Sequence, residues 1–235
     1  MGVSRLIVAL DVPTLEQARR LVEALAPLGV LFKVGYEAYY GFGAALLEVL
    51  DSRNAEVCLD LKFHDIPRTA AAAMRAVMRP GLSIVTVHAS GGEEMMRAVV
   101  DAAREVASEL RLPEAAVFGV TLLTSISPLA LEELGWTGGM GENVVRLAAL
   151  SRNAGCAGVV SSALEAAELK TFFGSEFMVL APGIRPAGAA SDDQQRVATP
   201  AQAVAAGVDY LVVGRPVTTA ADPYAAARSI LEEMC

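Results

Sequence analysis

Glu56-Val57-Cys58-Leu59-Asp60-Leu61-Lys62-Phe63-His64-Asp65-Ile66-Pro67-Arg68-Thr69 is the stretch on which the fold turns. It starts as an apolar run and predicts a strand over 56–61. Pro67 suits the first turn of a helix, and the alanine run 70–73 with Met74 extends that helix over 69–78. The stretch is therefore a strand running through a polar loop into a helix. Residues two apart on a strand share a face, so Asp60 and Lys62 are expected side by side, with Asp65 in the turn. An ammonium between two carboxylates is held in its charged form. Its lone pair is then occupied, and it serves as a proton donor rather than a nucleophile. Taken alone, Asp-x-Lys reads equally well as a strand-end ion pair without chemistry.

The same unit recurs in both directions. Upstream, strands are expected at 5–10 and 30–34, with helices to about 25 and over 44–50; Thr14 followed by Gln17 fits a capping box. Downstream, strands are expected at 82–88, 115–122, 158–160, 177–181 and 208–213. Helices fall at 91–110, 129–134, 142–154, 164–172, 200–206 and 223–234. The strands are near-continuously apolar, as in a buried parallel sheet. Eight strand–helix repeats without a low-complexity linker predict an α/β fold, a single (β/α)8 TIM barrel spanning 1–235 as one catalytic domain. Active sites of such barrels lie at the C-terminal strand ends. Asp11, Lys33, Asp60, Lys62, Ser127, Arg185 and Arg215 all fall at or just after those ends.

Composition narrows the function. With 54% hydrophobic residues, the 235-residue chain can fill a large core. Its formal net charge of −8 argues against nucleic acid, which needs a basic face. No apolar run reaches the ~18 residues of a membrane span, and the N-terminal residues read as a first strand rather than a leader. Three distant cysteines and two histidines give neither a disulfide framework nor a zinc spacing. Buried thiols, a cytoplasmic location and no metal are expected. A small anionic ligand remains compatible, with Lys33, Lys62, Arg185 and Arg215 as its local positive charge.

Several positions have two readings. Asp11 either accepts two ligand hydroxyls or merely opens a loop. Lys33, on an apolar strand, either meets a carboxylate or snorkels at the rim. Thr124 and Ser127 follow strand five, and Ser127 before Pro128 also suits a helix cap. Ala181-Pro182-Gly183-Ile184-Arg185-Pro186 and Val213-Gly214-Arg215-Pro216 follow strands seven and eight, the common phosphate position in barrels. Glycine there lets backbone N–H groups approach, and arginine supplies a fork. The polar stretch 186–197 reads as a mobile lid. His88 reads as a rim histidine, and Trp136 as packing.

The string Asp60-x-Lys62-x-x-Asp65-Ile66-Pro67-x-Thr69 resembles the signature of the orotidine 5′-monophosphate decarboxylase family, and the other motifs follow in the family's order along nearly the whole chain. Arg68 departs from it, since asparagine is usual there. The resemblance implies cofactor-free decarboxylation of orotidine 5′-monophosphate to UMP in pyrimidine biosynthesis. It implies Lys62 as proton donor to C6, Asp60 against the substrate carboxylate, and an alternating network Lys33, Asp60, Lys62, Asp65. Asp11 and Lys33 would meet the ribose, and Thr124 and Ser127 the base. Arg185, Gly214 and Arg215 would meet the phosphate, and Gln194, preferred to Gln195, would bridge phosphate and base. Asp65 and Thr69 would reach the neighbouring site of a homodimer. Two rivals remain. A Mg²⁺-dependent sugar-phosphate decarboxylase or aldolase of the same suprafamily shares Asp-x-Lys-x-x-Asp but gives no reason for Ile66-Pro67-x-Thr69 or for 124–127. A catalytically silent nucleotide-binding barrel gives no reason for Lys62 with both aspartates.

Overall fold

The computed structural model describes residues 5–186 and 197–235. Strands β1 (Arg5–Ala9), β2 (Leu31–Val34), β3 (Val57–Phe63), β4 (Leu82–His88), β5 (Ala116–Val120), β6 (Gly158–Val160), β7 (Met178–Ala181) and β8 (Tyr210–Val213) form a closed barrel in sequence order. Each strand pairs in parallel with its neighbours, and β8 closes against β1. This is the expected (β/α)8 barrel. Its strands separate two apolar layers. Ile7, Leu31, Cys58, Ile84, Phe118 and Leu180 fill the inside of the barrel, while alternate residues such as Val8, Phe32, Leu59, Val85 and Val213 pack outward with the helices. The period of two therefore decides what reaches the mouth. Two residues beyond Leu31, Cys58 and Ile84 come Lys33, Asp60 and Thr86, so the apolar plug is topped by polar side chains.

The helices start where the sequence places caps. Thr14 accepts the Gln17 N–H at 3.2 Å and opens α1 (Leu15–Leu25). Pro67 takes the first turn of the helix Pro67–Val77, two residues earlier than expected. Thr199 and Gln202 cap the helix Pro200–Ala205 reciprocally. Two short helices were not anticipated, Tyr36–Phe42 and Arg215–Thr218. The first is rich in aromatics and bounded by glycines, the second is four residues long and contains Pro216, and neither shows helical periodicity. No helix among the described residues is long and apolar enough to cross a membrane.

Strand β3 departs most from expectation. It runs on to Phe63, because its two charged residues do not end it. Leu59 pairs with Val85 and Phe63 with Val87, so four steps along β3 answer two along β4. The surplus is a bulge over Asp60–Lys62, which re-aims the strand. Lys62 takes a left-handed φ of 44°, a conformation costing a non-glycine residue roughly 1 kcal/mol or more.

Candidate active site

The bulge is held by one hydroxyl. Its distortion takes the Lys62 N–H out of the strand ladder, and Thr86 Oγ1 accepts that N–H at 3.0 Å. Thr86 donates its own proton to Asp60 Oδ1 at 2.9 Å. A single buried side chain on β4 thus fixes the backbone of Lys62 and the carboxylate of Asp60. Asp60 Oδ1 also lies 2.9 Å from Lys62 Nζ. The two charges do meet, but through a bulge rather than a regular pleat. Sequence reasoning passed over Thr86. The available signal was that it shares the inward face of 82–88 with Ile84 and stands beside Asp60 on the next strand. Thr86→Val keeps the shape and removes both hydrogen bonds. It should cost about 1–3 kcal/mol, because the Lys62 N–H is left unpaired; urea unfolding that matches the parent protein would refute this role.

The charge network continues towards β1. Lys33 Nζ lies 3.6 Å from Asp60 Oδ2 and 3.2 Å from Asp11 Oδ2. The described network is therefore Asp11–Lys33–Asp60–Lys62. Gly35 makes room for it, since a Cβ there would stand 2.7 Å from Lys33 Nζ and 3.3 Å from Asp11 Oδ1. Burial works against the charge on Asp60, but Lys33 and Lys62, with hydrogen bonds from Lys62 and Thr86, outweigh it and hold the carboxyl below its ordinary range. Burial likewise disfavours the Lys33 ammonium, and Asp60 and Asp11 more than offset it, so its pKa is raised. Beneath them burial, then Asp60, pushes the Cys58 thiol far up, which makes it an inert part of the floor.

Three cavities open on this network, and two of them share Lys33 and Asp60. One of about 390 Å³ is lined by Lys33, Asp60, Lys62, Thr86, Leu123, Thr124, Ser125, Val160, Ser161 and Leu180. It is mostly apolar with charge on one wall, as small-molecule sites with a few placed polar groups are. The second, about 460 Å³, is lined by Asp11, Lys33, Glu37, Asp60, Gly183, Arg185, Gly214 and Arg215. Lys33, Asp60, Pro182 and Val212 line both. Arg185 is buried and donates from Nη1 to the Ile184 carbonyl at 3.0 Å, while its Nε has no hydrogen-bond partner among the described residues. A buried donor of this kind suits an anion. Gly183 takes a φ of 78° in the turn that delivers it.

The remaining expected residues are distributed as follows. Thr124 lines the first cavity and Gly214 and Arg215 the second. Ser127 lines neither; its Oγ accepts the Ala130 N–H at 3.2 Å and caps the helix Pro128–Glu133, which is the other reading of that serine. Asp65 and Thr69 lie on the far side of Lys62, in an open cleft with Tyr36, Tyr40, His64 and His88. Among the described residues Asp65 forms no ion pair with Lys62, and its Oδ1 accepts the Ile66 N–H at 2.7 Å. The His64 and His88 rings stand 5.2 Å apart; burial, His64 and Lys62 hold the His88 pKa down against Asp60. Gln194, with most of the expected lid, lies outside the described residues. No group of three or more His, Cys, Asp or Glu side chains among the described residues is arranged to hold a metal ion.

Known proteins share both the fold and the sequence. A protein of Halorhodospira halophila named orotidine 5'-phosphate decarboxylase is 48% identical over 233 residues, which cover 99% of this chain and 97% of that protein. One of the same name from Moorella thermoacetica is 46% identical over 231 residues, covering 98% and 92%. The crystal structure of orotidine 5'-phosphate decarboxylase from Lactobacillus acidophilus is similar, with a TM-score of 0.86 at 35% identity over 98% of this chain and 99% of that one. The family model described as "Orotidine 5'-phosphate decarboxylase / HUMPS family" matches residues 4–230. With a match from the first strand to the last helix, this chain belongs to the orotidine 5'-phosphate decarboxylase / HUMPS family.

Proposed function

We propose that this protein decarboxylates orotidine 5′-monophosphate to UMP and CO2 in pyrimidine biosynthesis, without a cofactor. The observation that carries the reading is the Lys62 ammonium held 2.9 Å from Asp60 at the wall of the mostly apolar cavity. The C–CO2 bond breaks and leaves its electron pair at C6. Lys62 stabilises that charge and delivers a proton to it. Asp60, kept ionised by two lysines, faces the substrate carboxylate, and their repulsion is relieved as CO2 departs. Thr124 borders the base. Asp11 and Lys33 meet the ribose, and Arg185, Gly214 and Arg215 the phosphate. Binding energy from the remote phosphate supports the step at the ring. Ser127 and Gln194 complete the base edge in this reading, the serine after giving up its cap.

Residues 1–235 serve as one catalytic domain, and two copies share their sites. Asp65 and Thr69 stand exposed beside Lys62 without engaging it, and Tyr40 (79% exposed) forms an apolar rim of the same cleft, with the exposed Ile66 (62%) next to Asp65 in sequence. A second subunit would cover that rim and receive Asp65 and Thr69. The buried free thiols Cys58 and Cys156 suit a cytoplasmic setting.

The deciding experiment follows ultraviolet absorbance of orotidine 5′-monophosphate with purified protein, with and without EDTA, alongside sedimentation at the assay concentration. Conversion to UMP at equal rates in both, by a dimer, is expected. Loss of turnover in EDTA would overturn the cofactor-free mechanism. Turnover of a keto-sugar phosphate with Mg²⁺ in its place would transfer the assignment to the sugar-phosphate chemistry, and full activity of a monomer would end the shared-site reading.

A further inference from the structure

We propose that His64 is a positioning residue that acts across the subunit interface: its ring anchors the loop that carries Asp65, the carboxylate delivered to the partner's site. The inference rests on the shared sites of the proposed dimer. Strand β3 ends at Phe63 and the next helix opens at Pro67, so His64, Asp65 and Ile66 form the whole connection. Asp65 Oδ1 accepts the Ile66 N–H at 2.7 Å, and the Ile66 carbonyl accepts the Thr69 N–H at 3.0 Å and the Ala70 N–H at 3.1 Å. These bonds shape the loop and tie it forward to its helix, and none of them reaches another strand. His64 does. Its ring packs on His88 at the end of β4, with centroids 5.2 Å apart and planes 43° from parallel, a favourable aromatic separation. It also lies over Gly91, in the turn Ala89–Gly91 that follows β4. A Cβ on Gly91 would collide with Met95 and stand 3.1 Å from His64 Cδ2, so glycine gives the ring its seat. Burial, then His64 and Lys62, lower the His88 pKa, and that ring, uncharged at neutral pH, packs on its neighbour without like-charge repulsion. The anchor matters because Asp65 works outside its own barrel. Among the described residues its Oδ2 takes no hydrogen bond, which leaves it for the partner's Lys62, and a group misplaced by about 1 Å can cost about 10²-fold in rate. His64 is itself exposed in the single chain, so removing it leaves the packed core intact.

The test uses mixed dimers purified through two affinity tags and assayed for turnover of orotidine 5′-monophosphate. The His64→Ala homodimer should lose about ten- to a hundredfold in kcat, and His64→Phe, which keeps a ring, should stay within about twofold of the parent. The deciding species pairs one His64→Ala subunit with one Lys62→Ala subunit. Its single lysine-bearing site receives Asp65 from the subunit whose His64 is intact, so the rate per dimer should return to about half the parental one. If His64 instead acts on the Lys62 of its own chain, that site stays defective, and a mixed dimer no faster than the His64→Ala homodimer overturns the proposal. A phenylalanine variant as slow as the alanine one overturns it too, as does an alanine homodimer with parental kcat. Should His64→Ala fail to dimerise, His64→Asn takes its place in the same pairing. A dimer of Asp65→Ala with Lys62→Ala is the control and should recover by the same rule. Its failure would bring down the shared-site reading and this proposal together, as would a parent dimer without turnover, whereas failure of the His64 pairing alone would leave the shared sites standing.

Discussion

Lys62→Ala should reduce turnover of orotidine 5′-monophosphate by at least about 10⁴-fold while the protein stays folded. Two contributions are lost together. Proton delivery by a placed acid is worth about 10²–10⁴, and stabilisation of charge in a water-poor site about 10²–10³ more. The fold survives because Asp60 is not stranded. Lys33 remains 3.6 Å from its Oδ2, and Thr86 still donates to Oδ1. The stability loss should therefore stay near 1–2 kcal/mol, below the ~3–5 of a buried charge left alone. Turnover by ultraviolet absorbance and a urea titration check both halves. Near-parental turnover would remove Lys62 from the mechanism, and an unfolded variant would refute the independence of the barrel from this charge.

Asp60→Asn should cost at least about a hundredfold in turnover and, unlike the lysine variant, should be felt strongly in stability. Asp60 stands between two ammonium groups, and a neutral amide leaves them facing each other. At neutral pH the loss should be about 2–3 kcal/mol. The pH dependence has a definite sign. The folded pKa of Asp60 lies below its ordinary value, so its contribution is complete above about pH 4 and disappears as pH falls through the lowered folded value. Lys33, raised in the fold, contributes below its unfolded pKa of about 10.4 and loses that contribution as pH rises through the folded one. The parent protein should weaken at both extremes. Asp60→Asn should flatten the acid limb and, with Lys33 left only Asp11, shrink the alkaline one. An acid limb of unchanged slope would show that other carboxylates govern it.

The barrel was legible because its evidence repeats: apolar strands, capped helices and eight alternations are each sufficient to expose an error in another. Single residues at the mouth are less redundant. Asp60, Lys62 and Lys33 could be placed because charge inside an apolar strand needs a partner. Thr86 could not, since a threonine in a strand is unremarkable until the neighbouring register is known. The bulge in β3 was equally hidden, because spacing along one strand says nothing about the count along the next. Ser127 has two uses that its sequence cannot separate, and here its hydroxyl caps a helix. Asp65 and Thr69 line an open cleft beside Lys62, and Asp65 binds the Ile66 N–H rather than joining the charge network in which its spacing placed it.

The surplus in β3 bears on any attempt to move this chemistry to another barrel. Aspartate and lysine two positions apart on a straight strand would reproduce the letters of the site without its geometry. The recipient would also need the extra backbone between Leu59 and Phe63, a left-handed turn at the lysine, and a hydroxyl on the adjacent strand to receive the displaced N–H. The transplantable unit is a pair of strands with unequal residue counts, and a graft of side chains alone would leave an ion pair in a barrel that does nothing.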